Sequence, residues 1–187
     1  IARRQRQMCI RDRWEPVYIM NKIMLGLYNA YLSCDLPQAK DVLVKMADWF
    51  GYQVLDKLSY EQIQELLVCE HGSINESYIT VYEITGDEKY LKWAKLLNDE
   101  DMLIPAAEER DVLNGWHANT QIPKFTGFEK VYNYTQEDKY TRAAQFFWET
   151  VVDKHTWVIG GNSTGEHFFP VDQFEKRVPS DGGPESC

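Results

Sequence analysis

Three stretches of this chain repeat one another at intervals of about fifty residues, and no other feature narrows the fold as much. Tyr31, Tyr82 and Tyr132 stand 51 and 50 positions apart, and Val81-Tyr82 matches Val131-Tyr132 as a pair. After each tyrosine comes a short polar turn (SCDLPQ, EITGDEK, NYTQEDK), then a second segment in which Ala39, Tyr90 and Tyr140 hold the same offset. A unit of this length with two helices is a helical hairpin, and one hairpin cannot bury its apolar face alone. The chain therefore reads as stacked hairpins, an open solenoid or a closed α/α toroid. Three units are visible, about half the ring in a toroid of six hairpins.

Apolar spacing supplies the helices. Val17, Met20, Met24, Leu27 and Tyr31 form one amphipathic stripe. Pro37 suits a first helical turn, and Ala39, Val42, Leu43, Met46 and Phe50 continue behind it. Ser59 with Gln62 is a capping box that predicts a helix to about residue 68, and Thr85 with Glu88 repeats the pattern. Helix pairs are predicted at 74–84 with 88–97 and at 119–134 with 137–152. Trp49, Trp93 and Trp148, inside helices, are expected in the core. The best strand candidate is Thr156-Trp157-Val158-Ile159, stopped by Gly160-Gly161.

Composition removes several function classes. The 20 Lys and Arg stand against 29 Asp and Glu, a net charge of −9, which argues against a nucleic-acid partner. No apolar run approaches a membrane span, and residues 1–13 are basic with no apolar stretch behind them, unlike a secretory signal. Cys9, Cys34, Cys69 and Cys187 are too scattered for a disulfide framework. The ends stand apart. Residues 1–13 hold five of the 20 basic residues, and without them the net charge is −13. The run QRQMCIRDR resembles translated assembly scar, so 1–13 is set aside and 14–187 is expected to be incomplete, a fragment. The compartment is unreadable; bacterial cytoplasm or periplasm is the expectation.

Two connections are long: 98–117, and 155–187 with five Gly and three Pro. Both adjoin the same side of the hairpin stack, where a toroid places a binding cavity. Three of the four histidines sit in such polar loops: His71 in CEHGSINES, His117 in NGWHANTQIPK and His167 in NSTGEHFFP. Singly, each reads as a surface or structural residue. Their company of amides and of Trp116, Trp157 and Phe168 suits an uncharged polyol or sugar. Glu185 and Cys187, two apart, share a side in extended chain. A carboxylate and a thiolate make only half a zinc site, and alone the pair means little.

Together these segments resemble the catalytic domain of the β-L-arabinofuranosidases, glycoside hydrolase families 127 and 146. The resemblance is carried by WEPVYIMNKIMLGLYNAY, CEHGSINESYITVYEITGDEKYLKWAK, LNGWHANTQIPKFTGFEKVY, HTWVIGGNSTGEHFFP and GGPESC, in family order over 14–187. HANTQIPK and GGNSTGEHF are long and specific, and HANTQIP leans towards family 146. The resemblance implies an (α/α)6 toroid, so that this all-α chain is a partial toroid of about three hairpins. It implies a retaining exo-hydrolase that removes terminal β-L-arabinofuranose from plant glycans. It implies Zn²⁺ held by one Glu and three Cys, with Glu185 as general acid/base and metal ligand, Cys187 as a further ligand, and another Cys as nucleophile. His71 and His117 match the family's sugar-pocket histidines; His167 and Gln121 lie in matching motifs and join them as substrate-binding candidates.

There are departures. The family's usual His before Lys in the first hairpin is Asn21, an expected loss of a sugar contact, and the GGMNE run reads GSINE, with Ser73 and Ile74. The nucleophilic Cys is expected beyond residue 187, so the chain alone is expected to be inactive, to bind zinc weakly and to leave apolar helix faces exposed. Two alternatives compete: a helical-repeat module that binds a protein or glycan without catalysis, and another α/α-toroid carbohydrate enzyme that needs neither zinc nor cysteine.

Overall fold

The computed structural model describes residues 16–177. The 1–13 segment, Glu185 and Cys187 lie outside the described residues. The helices are α1 Pro16–Ser33, α2 Pro37–Gln53, α3 Tyr60–Leu67, α4 Ile74–Thr85, α5 Glu88–Leu96, α6 Glu100–Ala107, α7 Ala118–Thr135, α8 Asp138–Thr150 and the single turn α9 Phe174–Arg177. Among the described residues there is no strand, only two isolated bridges at His167. The fold is all-α, and no described helix is long and apolar enough to cross a membrane.

The repeat folds as three hairpins, α1–α2, α4–α5 and α7–α8. The first helices α1, α4 and α7 pack side by side, and each second helix lies against its own partner. The register is visible in the backbone: Asp35, Gly86 and Gln136, 51 and 50 positions apart, all take the left-handed conformation after a first helix, with φ of 51°, 69° and 55°. Ala39, Tyr90 and Tyr140 are all buried. Hydrogen bonds tie each hairpin to the next at matched offsets. Tyr90 Oη donates to Asp48 at 2.8 Å, and Asn98 Nδ2 donates to Tyr140 Oη at 3.2 Å.

The core centres on Trp93, ringed edge-on by Tyr52, Tyr78 and Tyr90 at 5.0, 5.8 and 5.7 Å, its Nε1 donating to Asp56 at 2.8 Å. Gly51 makes room for it: a Cβ there would stand 2.4 Å from the indole. Phe125 and Phe147 stack at 3.7 Å between the third pair of helices. The capping box at Ser59 is present in both directions, at 3.3 and 2.9 Å.

Several expectations fail for identifiable reasons. Trp49 and Trp148 are 57% and 70% exposed, and Val42 is exposed with them, because the second-layer helices have only one covered face. Phe168 is core, edge-on to His155, and does not face a ligand. Thr85 and Glu88 form no capping box: Gly86 ends α4, and Asp87 caps α5 by accepting from Lys89 N at 3.1 Å. The 98–117 connection contains α6, which Pro105 disguises as a breaker and Asp99 caps through Asp101 N at 3.0 Å. Residues 156–159 are a turn closed by Trp157 N to Gly161 O at 2.7 Å, with Val158 and Ile159 in solvent. No neighbouring backbone pairs with them as a ladder.

Candidate active site

The hairpins run in one sense, so the N-termini of α4 and α7 open at one end, together with the loops that precede them. The stretch 161–170 folds back over that end. Gly115 N donates to Phe168 O at 2.9 Å, Phe168 N to Trp116 O at 2.9 Å, and Ala118 N to Glu166 O at 2.8 Å. These bonds clamp the NGWHANTQ and GEHFF segments together. Between them and residues 68–70 lies an open groove of about 560 Å³, walled by Glu70, Trp116, His117, Gln121, Glu166 and His167.

His117 occupies the N-cap of α7, where Ser, Thr, Asp or Asn is the usual choice. Its Nδ1 accepts from Thr120 N at 3.2 Å and lies 2.7 Å from the Thr120 hydroxyl. An accepting Nδ1 puts the proton of a neutral ring on Nε2, which lies 3.8 Å from Glu166 Oε2. The His117 and His167 rings meet edge-on at 5.4 Å. His167 Nδ1 sits 2.7 Å from Gly165 O, so Nδ1 carries a proton, and in a neutral ring Nε2 is the acceptor. The groove thus presents both a ring donor and a ring acceptor.

His71 is placed differently. It is 2% exposed, behind the wall formed by Cys69 and Glu70, with Nδ1 facing the carbonyls of Leu67 at 3.0 Å and Cys69 at 3.2 Å. Burial, aided by the Lys124 ammonium, pushes its pKa down to about 4, so it is neutral with Nε2 unprotonated. Lys124 is itself 2% exposed and pairs with Asp99 at 2.5 Å. His117 at the N-cap of α7, Gln121 and the buried Lys124 follow one helix face, four and then three residues apart.

Asn21 does not reach the groove. It is buried, and its Nδ2 donates to Ser77 Oγ at 2.8 Å and Ser73 Oγ at 3.4 Å, tying α1 to α4. Two positions where the sequence departs from the family pattern, Asn21 and Ser73, therefore touch each other. Trp116 lines the groove, as an aromatic platform should; Trp157 packs instead against Phe169 and Phe174 at 5.7 and 4.9 Å.

Sequence reasoning missed Glu70 and Glu166 on the groove and the Lys124–Asp99 pair beneath it. The carboxylates had a signal, since each directly precedes a candidate histidine. The ion pair had none. Among the described residues no group of three or more His, Cys, Asp or Glu is placed to hold a metal.

Comparison with protein families supplies one match, to the family described as β-L-arabinofuranosidase, GH127 catalytic domain, over residues 2–187. Comparison with individual curated proteins gave no match.

Proposed function

The chain belongs to the glycoside hydrolase family 127 β-L-arabinofuranosidase catalytic domains, and from that premise we propose that it serves a retaining exo-hydrolase acting on terminal β-L-arabinofuranosides of plant glycans. Membership makes it a glycoside hydrolase with a carbohydrate substrate. The finer reading is supported by one observation: the groove brings His117 and Gln121 of the HANTQ motif together with His167 of the GEHFF segment, beside Trp116. An aromatic face with neutral donors and acceptors is what an uncharged sugar ring requires.

In this reading the hairpins are part of an (α/α)6 toroid, and the groove holds the terminal sugar. Glu185 is the general acid that protonates the departing oxygen and then the base that takes a proton from water. Glu185 and Cys187 would be two of the zinc ligands, and the metal would supply a thiolate nucleophile at neutral pH. Among the described residues no group of His, Cys, Asp or Glu completes that ligand set. His71, neutral behind the wall, orders the segment that carries Cys69 and Glu70.

Two measurements test this. Titration with methyl β-L-arabinofuranoside is expected to shift the NMR signals of His117, Gln121 and His167 saturably; shifts confined to other residues would overturn the site. Glu185→Gln in the full-length protein is expected to lower turnover by roughly 10²–10⁴-fold without moving Tm. Undiminished turnover would remove Glu185 from the mechanism and favour a binding module.

A further inference from the structure

Three side chains, His117, Gln121 and Lys124, follow one face of α7, and two of them are spoken for. His117 Nδ1 caps its own helix through Thr120. Lys124 is paired with Asp99. Gln121, between them, lines the groove yet is only 1% exposed, and its carboxamide makes no hydrogen bond; Oε1 is sealed from solvent without a partner. Its Nε2 is not among the sealed atoms, so the amide opens at one end only. A half-turn of the carboxamide exchanges donor and acceptor there. A polar group buried in this way weakens the fold, and an apolar side chain of the same length would fill the space better. Such a cost is retained where a ligand recovers it.

We propose that Gln121 is the specificity-determining residue of the groove, hydrogen-bonding a ring hydroxyl of the bound sugar and rejecting sugars that lack it. The inference rests on the carbohydrate reading above and adds the residue that selects among sugars. A site built to bond a hydroxyl discriminates strongly against the analogue without it, because the protein's own polar atom is then left unpaired. The groove histidines are less selective, since each ring already has a partner at Nδ1, Thr120 for His117 and Gly165 O for His167.

The test is calorimetric titration of the chain with methyl β-L-arabinofuranoside and its 2-, 3- and 5-deoxy analogues, for wild type, Gln121→Met and Gln121→Asn. Wild type is expected to bind the parent sugar about tenfold or more tighter than one of the analogues. Gln121→Met should lose that discrimination and bind parent and analogue alike, with Tm unchanged or raised. Gln121→Asn, which withdraws the amide by one methylene, should lose it as well and stands in should the Met variant fail to fold. Discrimination that survives both substitutions overturns the inference and leaves the glycosidase reading standing. So does an equal loss for all four sugars, which would mark Gln121 as mere packing. A wild-type protein that binds a different sugar instead, with Gln121-dependent selection among its deoxy forms, sinks the arabinofuranoside reading and upholds the inference. Binding of no sugar overturns both.

Discussion

The two ends of the hairpin stack are built on opposite terms. At the turn end the three hairpins obey one pattern: Asp35, Gly86 and Gln136 turn the chain alike, and Glu83 accepts from Tyr28 at 2.8 Å and Tyr134 at 3.0 Å, lacing the first helices together. At the groove end every connection differs, from the 3₁₀ turn and α3 before α4, to α6 before α7, to the π-turn Val151–His155 after α8. Among the described residues, the buried side-chain polar atoms without a partner lie towards that end: in Asn21, Gln121, His155, Trp157, Asn162, Ser163 and Thr164. Each such atom costs about 1–3 kcal/mol. The turn end satisfies its polar groups, and the groove end leaves polar atoms unpaired at the expense of stability.

The sharpest way to break this contrast is the buried pair beneath the groove. Lys124→Met leaves Asp99 charged and unpaired, and is expected to cost about 3–5 kcal/mol. Lys124→Met with Asp99→Asn, which keeps an α6 cap, should restore most of it. Urea unfolding of the three proteins checks this. A single variant no weaker than the double would show that the pair is not a buried charge couple.

Next in size is acid sensitivity. His71 is held at about 4 when folded against an ordinary 6.5, so between those values the unfolded chain binds the extra proton. Its contribution is complete above pH 6.5 and is lost as pH falls towards 4, on the order of 2–3 kcal/mol across the window. His71→Gln should flatten the stability difference between pH 6.5 and 5 relative to wild type. Lys124→Met should shrink it, since the ammonium helps keep the imidazole neutral. An unchanged pH slope in His71→Gln would place the acid sensitivity elsewhere.

The smallest effects belong to the turn end. A Cβ at Gly86 meets nothing within 4 Å, so Gly86→Ala is a purely conformational penalty of about 1 kcal/mol. Asp35→Gly, at the equivalent position, should gain roughly 0.5–1 kcal/mol. Gln136→Gly should gain less, because its Nε2 donates to the carbonyls of Tyr132 and Asn133, both at 3.2 Å. Thermal melts that rank these three otherwise would show that the hairpins are not equivalent at their turns.

Much of this architecture was legible because a hairpin is a local object. Tyr31, Tyr82 and Tyr132 mark its register, Pro37 and Ser59 its starts, Gly86 its stop, and each signal acts within a few residues. The side of the stack that carries the long connections followed from counting helices, since the helices alternate in direction. The site was legible only as a set of segments. His117, Gln121 and His167 meet because backbone bonds clamp 115–118 to 166–168, a contact between stretches about fifty residues apart that no local pattern encodes. His71, in just as polar a loop, went behind the wall.

What the sequence determined by itself was periodicity: which residues form the hairpin helices, how many hairpins they make, and which loops share an end. Whether a helix face is covered depends on a neighbour from another repeat. Tertiary packing alone therefore decided that Trp93 is core while Trp49 and Trp148 face solvent, and that Asn21 is buried against Ser77. It also decided that Lys124 is buried. Burying that ammonium is tolerable only because Asp99, 25 residues away on another element, arrives at 2.5 Å with the opposite charge.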